Sequence, residues 1–184
     1  MMRTLAFALA VAAALPAARA ATYTRVLPES SVSFSATQMG VTMPGHFTRI
    51  SAQVVFDPAR PAMDRVAVTV QTASADAANA QTTALITGAD WLDAAHHPQA
   101  SFVSSRFTPA GPNRWWVDGT FSVKGHSAPL RVLATAHAQG ADLALDADVK
   151  LARLHWGLGS GGWSDTSVVG AELPIHVHLL LAAH

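Results

Sequence analysis

The sequence predicts a mainly all-β protein, an antiparallel up-and-down β-barrel of about eight strands. Three observations carry this. Polar and apolar residues alternate with period two through most of the chain, the pattern of half-buried strands. Gly, Pro and Asn clusters fall between these runs at hairpin spacing. One stretch, residues 79–95, interrupts the alternation with a short helical pattern. A sheet with one apolar face must close on itself or pack against something else.

The amino terminus stands apart. Arg3 precedes an apolar run from Leu5 to Leu15, Pro16 breaks it, and Ala18-Arg19-Ala20 has the small-x-small form of a cleavage site. Residues 1–20 are expected to be a secretory signal peptide and 21–184 a single barrel domain. An uncleaved anchor is the alternative, although the run is short for a membrane span.

Within the domain, Tyr23–Val26 starts a strand and Pro28-Glu29-Ser30 turns. Val32, Phe34 and Ala36 share a face of the next strand. Met39–Gly45 reads as a loop or broken strand with two flexible methionines, Met39 and Met43. His46–Phe56 reads as one strand, with Ile50, Ala52, Val54 and Phe56 on one face. Val66, Val68 and Val70 mark another over Asp64–Gln71. A helix is expected near Asn79–Thr87, a break at Gly88, and a second helical turn over Asp90–Ala95, capped best by Asp90. That turn is expected to plug one barrel mouth with Trp91 and Leu92 facing inward. Pro98 ends it and pushes His97 toward an extended conformation.

Strands then return. Ala100–Phe107 is one, and Pro109–Asn113 reads as a hairpin loop. Arg114–Val123 sets Trp115, Val117, Gly119, Phe121 and Val123 against a polar face, before a tight turn at Lys124-Gly125-His126. Leu130–His137 and Asp142–Leu151 form a pair around Gln139-Gly140. Arg153–Thr166 is a loop rich in Gly and Trp, and Val168–Leu181 is the last strand.

Composition removes whole classes of function. Without residues 1–20 the chain has ten basic and twelve acidic residues, a net of −2, and no basic run. That argues against nucleic acid and anionic membrane surfaces as partners. Absence of cysteine excludes disulfides, thiolate metal sites and cysteine nucleophiles. A secreted domain held by its core alone suits the periplasm.

Chemistry-bearing residues weigh little. His96 and His97 are adjacent, and adjacent strand residues point to opposite faces. His176 and His178 share a face, but it is the one opposite Ile175, Val177 and Leu179, so solvent is their expected surrounding. They would need a third ligand from a neighbouring strand to hold a metal. Gly125-His126-Ser127-Ala128-Pro129 nearly matches a nucleophile elbow, yet its last glycine is proline and no helix follows. The run Gly157–Gly162 lacks the Lys-Ser/Thr of a phosphate loop and reads as a rim loop. No catalytic residue, metal or cofactor is expected. Each aromatic taken alone is a core residue. Small residues on the inward faces, such as Ala36, Gly119, Ala134 and Ala147, favour a cavity over a filled interior.

Several linked pieces resemble the YceI family of periplasmic lipid-binding proteins. They are Ser33-Phe34-Ser35 with Met39-Gly40-Val41 and Gly45-x-Phe47, then Asp90-Trp91-Leu92-Asp93 with Pro98-x-Ala100-x-Phe102-x-Ser104. Gly119-Thr120-Phe121-Ser122-Val123-Lys124-Gly125 with Pro129-Leu130, Arg153–Gly157 and Trp163–Gly170 follow in order. The resemblance implies a lipocalin-like barrel with a deep apolar channel and a long isoprenoid ligand, either a polyprenyl phosphate or a quinone tail. The channel is expected to be lined by Phe34, Met39, Met43, Phe47, Ile50 and Leu85 from the first half. Trp91, Leu92, Phe102, Trp115, Phe121, Trp156 and Trp163 are expected from the second. Gln38, Gln81-Thr82-Thr83-Ala84-Leu85 and His97 depart from the family pattern. The first two departures remove charge near the mouth and favour a neutral quinone or plain lipid over a diphosphate. The expected function is a carrier without a catalytic step. The alternatives are an enzyme acting on an isoprenoid lipid, or a filled barrel that partners a quinone-handling membrane cytochrome. A homodimer is a further expectation.

Overall fold

The structure, a computed structural model, describes residues 21–183; the expected signal peptide lies outside them. Eleven strands and one α-helix follow in order. They are β1 (Ala21–Val26), β2 (Ser31–Gln38), β3 (Val41–Phe47), β4 (Ile50–Phe56), β5 (Arg65–Gln71) and β6 (Ala75–Ala77). After α1 (Ala80–Thr87) come β7 (Gln99–Gly111), β8 (Arg114–Val123), β9 (His126–Gln139), β10 (Asp142–Ala152) and β11 (Glu172–Ala183).

These segments make an eight-stave barrel, because three staves are each broken in two. Antiparallel pairing runs β1–β4 and β2–β3, then β4–β5 and β3–β6, in one continuous sense. Pairing then passes in chain order from β5 through β7, β8, β9 and β10 to β11. The ring closes where β11 meets β1 at one end and β2 at the other. Closure removes exposed edges from most of the sheet. The expected barrel and strand number are therefore observed.

The three breaks fall level with one another and crease the wall. Ser30 joins the first break to β11, its Oγ donating to the Leu180 carbonyl at 3.0 Å and accepting from the Leu180 N–H at 2.9 Å. At the second, the Thr48 N–H donates to the Ser74 carbonyl and the Arg49 N–H to Ser74 Oγ, both at 3.0 Å. Ser74 belongs to the third. Small hydroxyl residues at the breaks thus replace the lost ladder bonds. Past the crease, β6 pairs only with β3, and α1 with residues 88–98 fills the gap between β6 and β7.

Several boundaries differ from expectation. Residues 41–45 are strand, not loop: only Met39-Gly40 turns, with Met39 at φ 48°. Pro44 is tolerated because β6 ends opposite Gly45, leaving an edge beyond. The single strand expected over His46–Phe56 is broken at Thr48-Arg49. No helix forms over Asp90–Ala95, which is a run of turns, so Asp90 caps nothing there. β7 runs through Pro109 to Gly111 because bulges at Ser104/Arg106 and Pro109/Gly111 absorb the irregularity. The Val66 N–H beside the first bulge is satisfied by Ser104 Oγ at 2.8 Å. The last strand starts at Glu172, since Val168–Gly170 belongs to the preceding loop.

Two apolar clusters fill the ends of the barrel. One lies under residues 88–98 and includes Trp91, Leu92, Trp156, Leu158 and Val169. The other lies at the far end, around Phe56, Trp115, Leu143 and Leu181, with the Phe56 ring edge-on to Trp115 at 5.7 Å.

Candidate functional site: an apolar channel

Between the two clusters the barrel holds a cavity of about 280 Å³. That lies near the lower bound of ligand pockets, about 300–1,000 Å³, and suits a thin guest. Inward positions of seven staves supply the wall, including Val32 and Phe34, Val68 and Val70, Phe102, Phe121, Leu130 and Val132, Val149, and Ile175. Polar residues on the lining are few: Gln38, Thr82, Ser101 and Asp146, the last with its carboxylate turned to His178 on the outer face. None of the lining residues is Lys, Arg or His. The lining reaches the surface at Pro44, beside half-buried Met43 and Thr82.

Small residues create the space. Ala134 on β9 and Ala147 on β10 are cross-strand partners, and both line the cavity. Gly119 does something different: a Cβ there would stand 2.5 Å from the Phe102 ring tip and from the Val103 carbonyl. The missing side chain leaves the room that the Phe102 ring tip occupies beside β8.

The roof is α1 with the turns that follow it. Asn79 caps the helix, its Oδ1 accepting from the Thr82 N–H at 2.9 Å. Leu85 and Ile86 face the cavity. The turns hang from the helix through Leu92 N–H to the Ile86 carbonyl at 3.0 Å and Ala94 N–H to the Thr87 carbonyl at 3.0 Å. The crease pins their other end, where Thr72 Oγ1 donates to the His97 carbonyl at 2.6 Å. Trp91 and Leu92 are buried there, with Trp163 tilted against Trp91 at 6.3 Å between ring centres. The expected plug is present.

A buried arginine latches the rim loop to this plug. Arg153 has no exposed surface. Its Nε donates to the Gly170 carbonyl at 2.8 Å, Nη2 to Val169 at 2.9 Å, and Nη1 to Gly159 at 2.8 Å and Leu158 at 3.1 Å. The guanidinium also lies 5.8 Å from the Trp91 ring centre. Burial pushes its pKa below the usual arginine value. Gly159 has φ +71°, and a Cβ on it would meet Arg153 Nη1 at 2.5 Å and Trp91 at 3.1 Å. From the loop, the Gly159 and Ser160 N–H groups both donate to the Asp90 carbonyl at 2.9 Å.

Nine of the thirteen residues expected at the channel lie on its wall: Phe34, Met43, Phe47, Leu85, Trp91, Leu92, Phe102, Phe121 and Trp163. Four stand elsewhere. Met39 is 79% exposed at the hairpin tip. Ile50 packs between the clusters at the crease. Trp115 belongs to the far-end cluster, and Trp156 sits in the rim loop, edge-on to Phe121 at 4.9 Å. Sequence reasoning passed over much of the aliphatic wall: Val66, Val68, Val70, Leu130, Val132 and Val149. Their alternation was legible, but aromatic residues drew the selection. Ser127 of the near-elbow is exposed and 2.7 Å from Ser122 Oγ, away from the channel.

A closed antiparallel barrel with an apolar interior and a helical roof defines the lipocalin-like class. Within it the assignment is specific: the family model described as YceI-like domain matches residues 23–181, and the chain belongs to that family. The crystal structure of BcnA from Burkholderia cenocepacia superposes with a TM-score of 0.80 at 38% identity, covering 83% of this chain and 96% of that one. A polyisoprenoid binding domain from Saccharophagus degradans shares the fold, with a TM-score of 0.71 at 10% identity over 90% of this chain and all of that one. A UPF0312 protein of Azotobacter vinelandii is 30% identical over 112 residues, 60% of this chain and 58% of that relative. The matched stretch thus spans under two thirds of that relative's length.

Proposed function

We propose that this barrel carries a long-chain isoprenoid lipid, of polyprenyl phosphate or quinone type, in its channel and performs no catalytic step. The observation that carries the reading is a continuous cavity whose wall is almost wholly hydrocarbon. Moving a prenyl chain from water onto such a wall is favourable by about 25 cal/mol per Å² of apolar surface buried. The isoprenoid-binding name of the Saccharophagus domain supports the guest class. A lining without Lys, Arg or His supports a neutral head group over a diphosphate. A cavity in place of a filled interior also speaks against the interaction-module alternative. A periplasmic setting rests on the amino-terminal sequence pattern, and a cytochrome partner or homodimer on the sequence reading alone.

The test narrows the channel at its waist. Ala147→Phe should abolish binding of a prenyl quinone by delipidated protein, while the far-ultraviolet circular dichroism stays that of the parent. Undiminished binding in a folded Ala147→Phe protein contradicts the proposal.

A further inference from the structure

The outer wall of β10 and β11 carries a side-chain group that the channel does not use. His176 and His178 are two residues apart on β11, and Asp148 and Asp146 stand directly opposite them on β10. Val177 between the two histidines faces the cavity, so both rings point outward on one face. Each ring is tied across the strand pair. His176 Nδ1 lies 2.7 Å from Asp148 Oδ1, and His178 Nδ1 lies 2.6 Å from Asp146 Oδ1. The rings remain open to solvent, His176 at 54% and His178 at 34% side-chain exposure.

This geometry selects a tautomer. An ionised carboxylate only accepts hydrogen bonds, so Nδ1 is the protonated nitrogen in both rings. In the neutral imidazole the free lone pair is then on Nε2. A carboxylate behind an imidazole is the arrangement that orients a metal-binding histidine and raises its basicity. Strand residues i and i+2 lie about 6.7 Å apart along the chain. Two imidazoles from that span can converge on one ion at about 2.0–2.1 Å from each nitrogen. The two carboxylates add the negative charge that a dication attracts.

We infer that His176 and His178 form a two-imidazole site for a divalent ion of the nickel, copper or zinc type, with Asp148 and Asp146 holding the rings. Imidazole suits these metals, and water completes the coordination. Among the described residues no three His, Asp or Glu side chains gather around one point, so the bound ion is exchangeable and not a structural centre. The simpler use of the four residues is a pair of surface ion pairs, and the following experiment separates the two.

The purified, untagged chain is titrated with NiCl₂ by calorimetry at neutral pH. The parent should bind one ion that is lost in H176Q/H178Q and kept in H96Q/H97Q. D146N/D148N, which keeps both imidazoles, should bind about 10–100-fold more weakly, the usual cost of removing such carboxylate support. Thermal melting of each variant confirms folding. Equal binding by H176Q/H178Q and the parent overturns the site. Undiminished affinity in D146N/D148N overturns the assigned role of the carboxylates.

Discussion

At the scale of single residues, Arg153 shows how a charge can be buried without a counter-ion. Four backbone carbonyls share its donors, so the cation is held by dipoles. A buried acceptor left without its donor costs about 1–3 kcal/mol. Arg153→Met should therefore lower stability by about 3 kcal/mol or more in chemical denaturation; a change within 0.5 kcal/mol, the scale of a neutral surface substitution, would contradict the latch. The turn between β4 and β5 holds a second buried group. Asp64 accepts from the Asp57 N–H through Oδ1 at 2.7 Å, while its Oδ2 has no partner. Burial raises the Asp64 pKa above the ordinary carboxylate value, whereas the Arg60 hydrogen bond holds Asp57 below it. The signs oppose. The Asp64 contribution is full below the unfolded-state pKa and is lost as pH rises through its raised folded value. That of Asp57 is lost as pH falls through its depressed one. Asp64→Asn keeps Oδ1 and removes the charge, so it should melt no lower than the parent at pH 7, with any advantage vanishing near pH 4. An equal loss of melting temperature at both pH values would contradict this. None of these three roles was legible beforehand. Arg153 opens one of the motifs of the family resemblance, but its burial does not show there, because its partners are backbone carbonyls brought in by the fold, and two aspartates seven positions apart do not announce that one accepts from the other's N–H.

At the scale of elements, the roof and the crease shape the channel. α1 is only eight residues long, too short to be stable alone, so its cap and its packing over the cavity hold it. Removing an N-cap side chain costs about 1 kcal/mol. Asn79→Ala should destabilise by that amount and speed hydrogen exchange of the amides from Thr82 to Leu92, leaving the amides of β8 and β9 slow. Uniform acceleration across the chain would show that the roof does not open separately. The helix was expected near Asn79–Thr87 and forms over Ala80–Thr87 behind the Asn79 cap. Residues 90–95 form irregular turns instead of a regular helical turn because Leu92, Ala94 and His97 are tied to Ile86, Thr87 and Thr72, which local propensity does not report. The crease at Thr48-Arg49 shows in the sequence only as a one-residue slip in the alternation, from Phe47 to Ile50 across two consecutive polar residues.

At the scale of the whole molecule, the barrel was legible and its hollowness only partly so. Period-two alternation fixed which residues face inward on nearly every stave, from Val32 and Phe34 to Val177 and Leu179. Whether those side chains meet in the middle depends on summed volumes across the ring. The Ala134–Ala147 pair leaves the gap, while the aromatic and leucine clusters fill the two ends. The middle of the barrel therefore has the room and the apolar wall that the proposed chain-like guest requires. Mass spectrometry of an organic extract from protein purified without detergent tests that directly. An ion series from a polyprenyl chain, near one molecule per barrel and absent from the Ala147→Phe protein, is the expected result. An extract with no prenyl lipid, from protein produced in cells that contain such lipids, would contradict it.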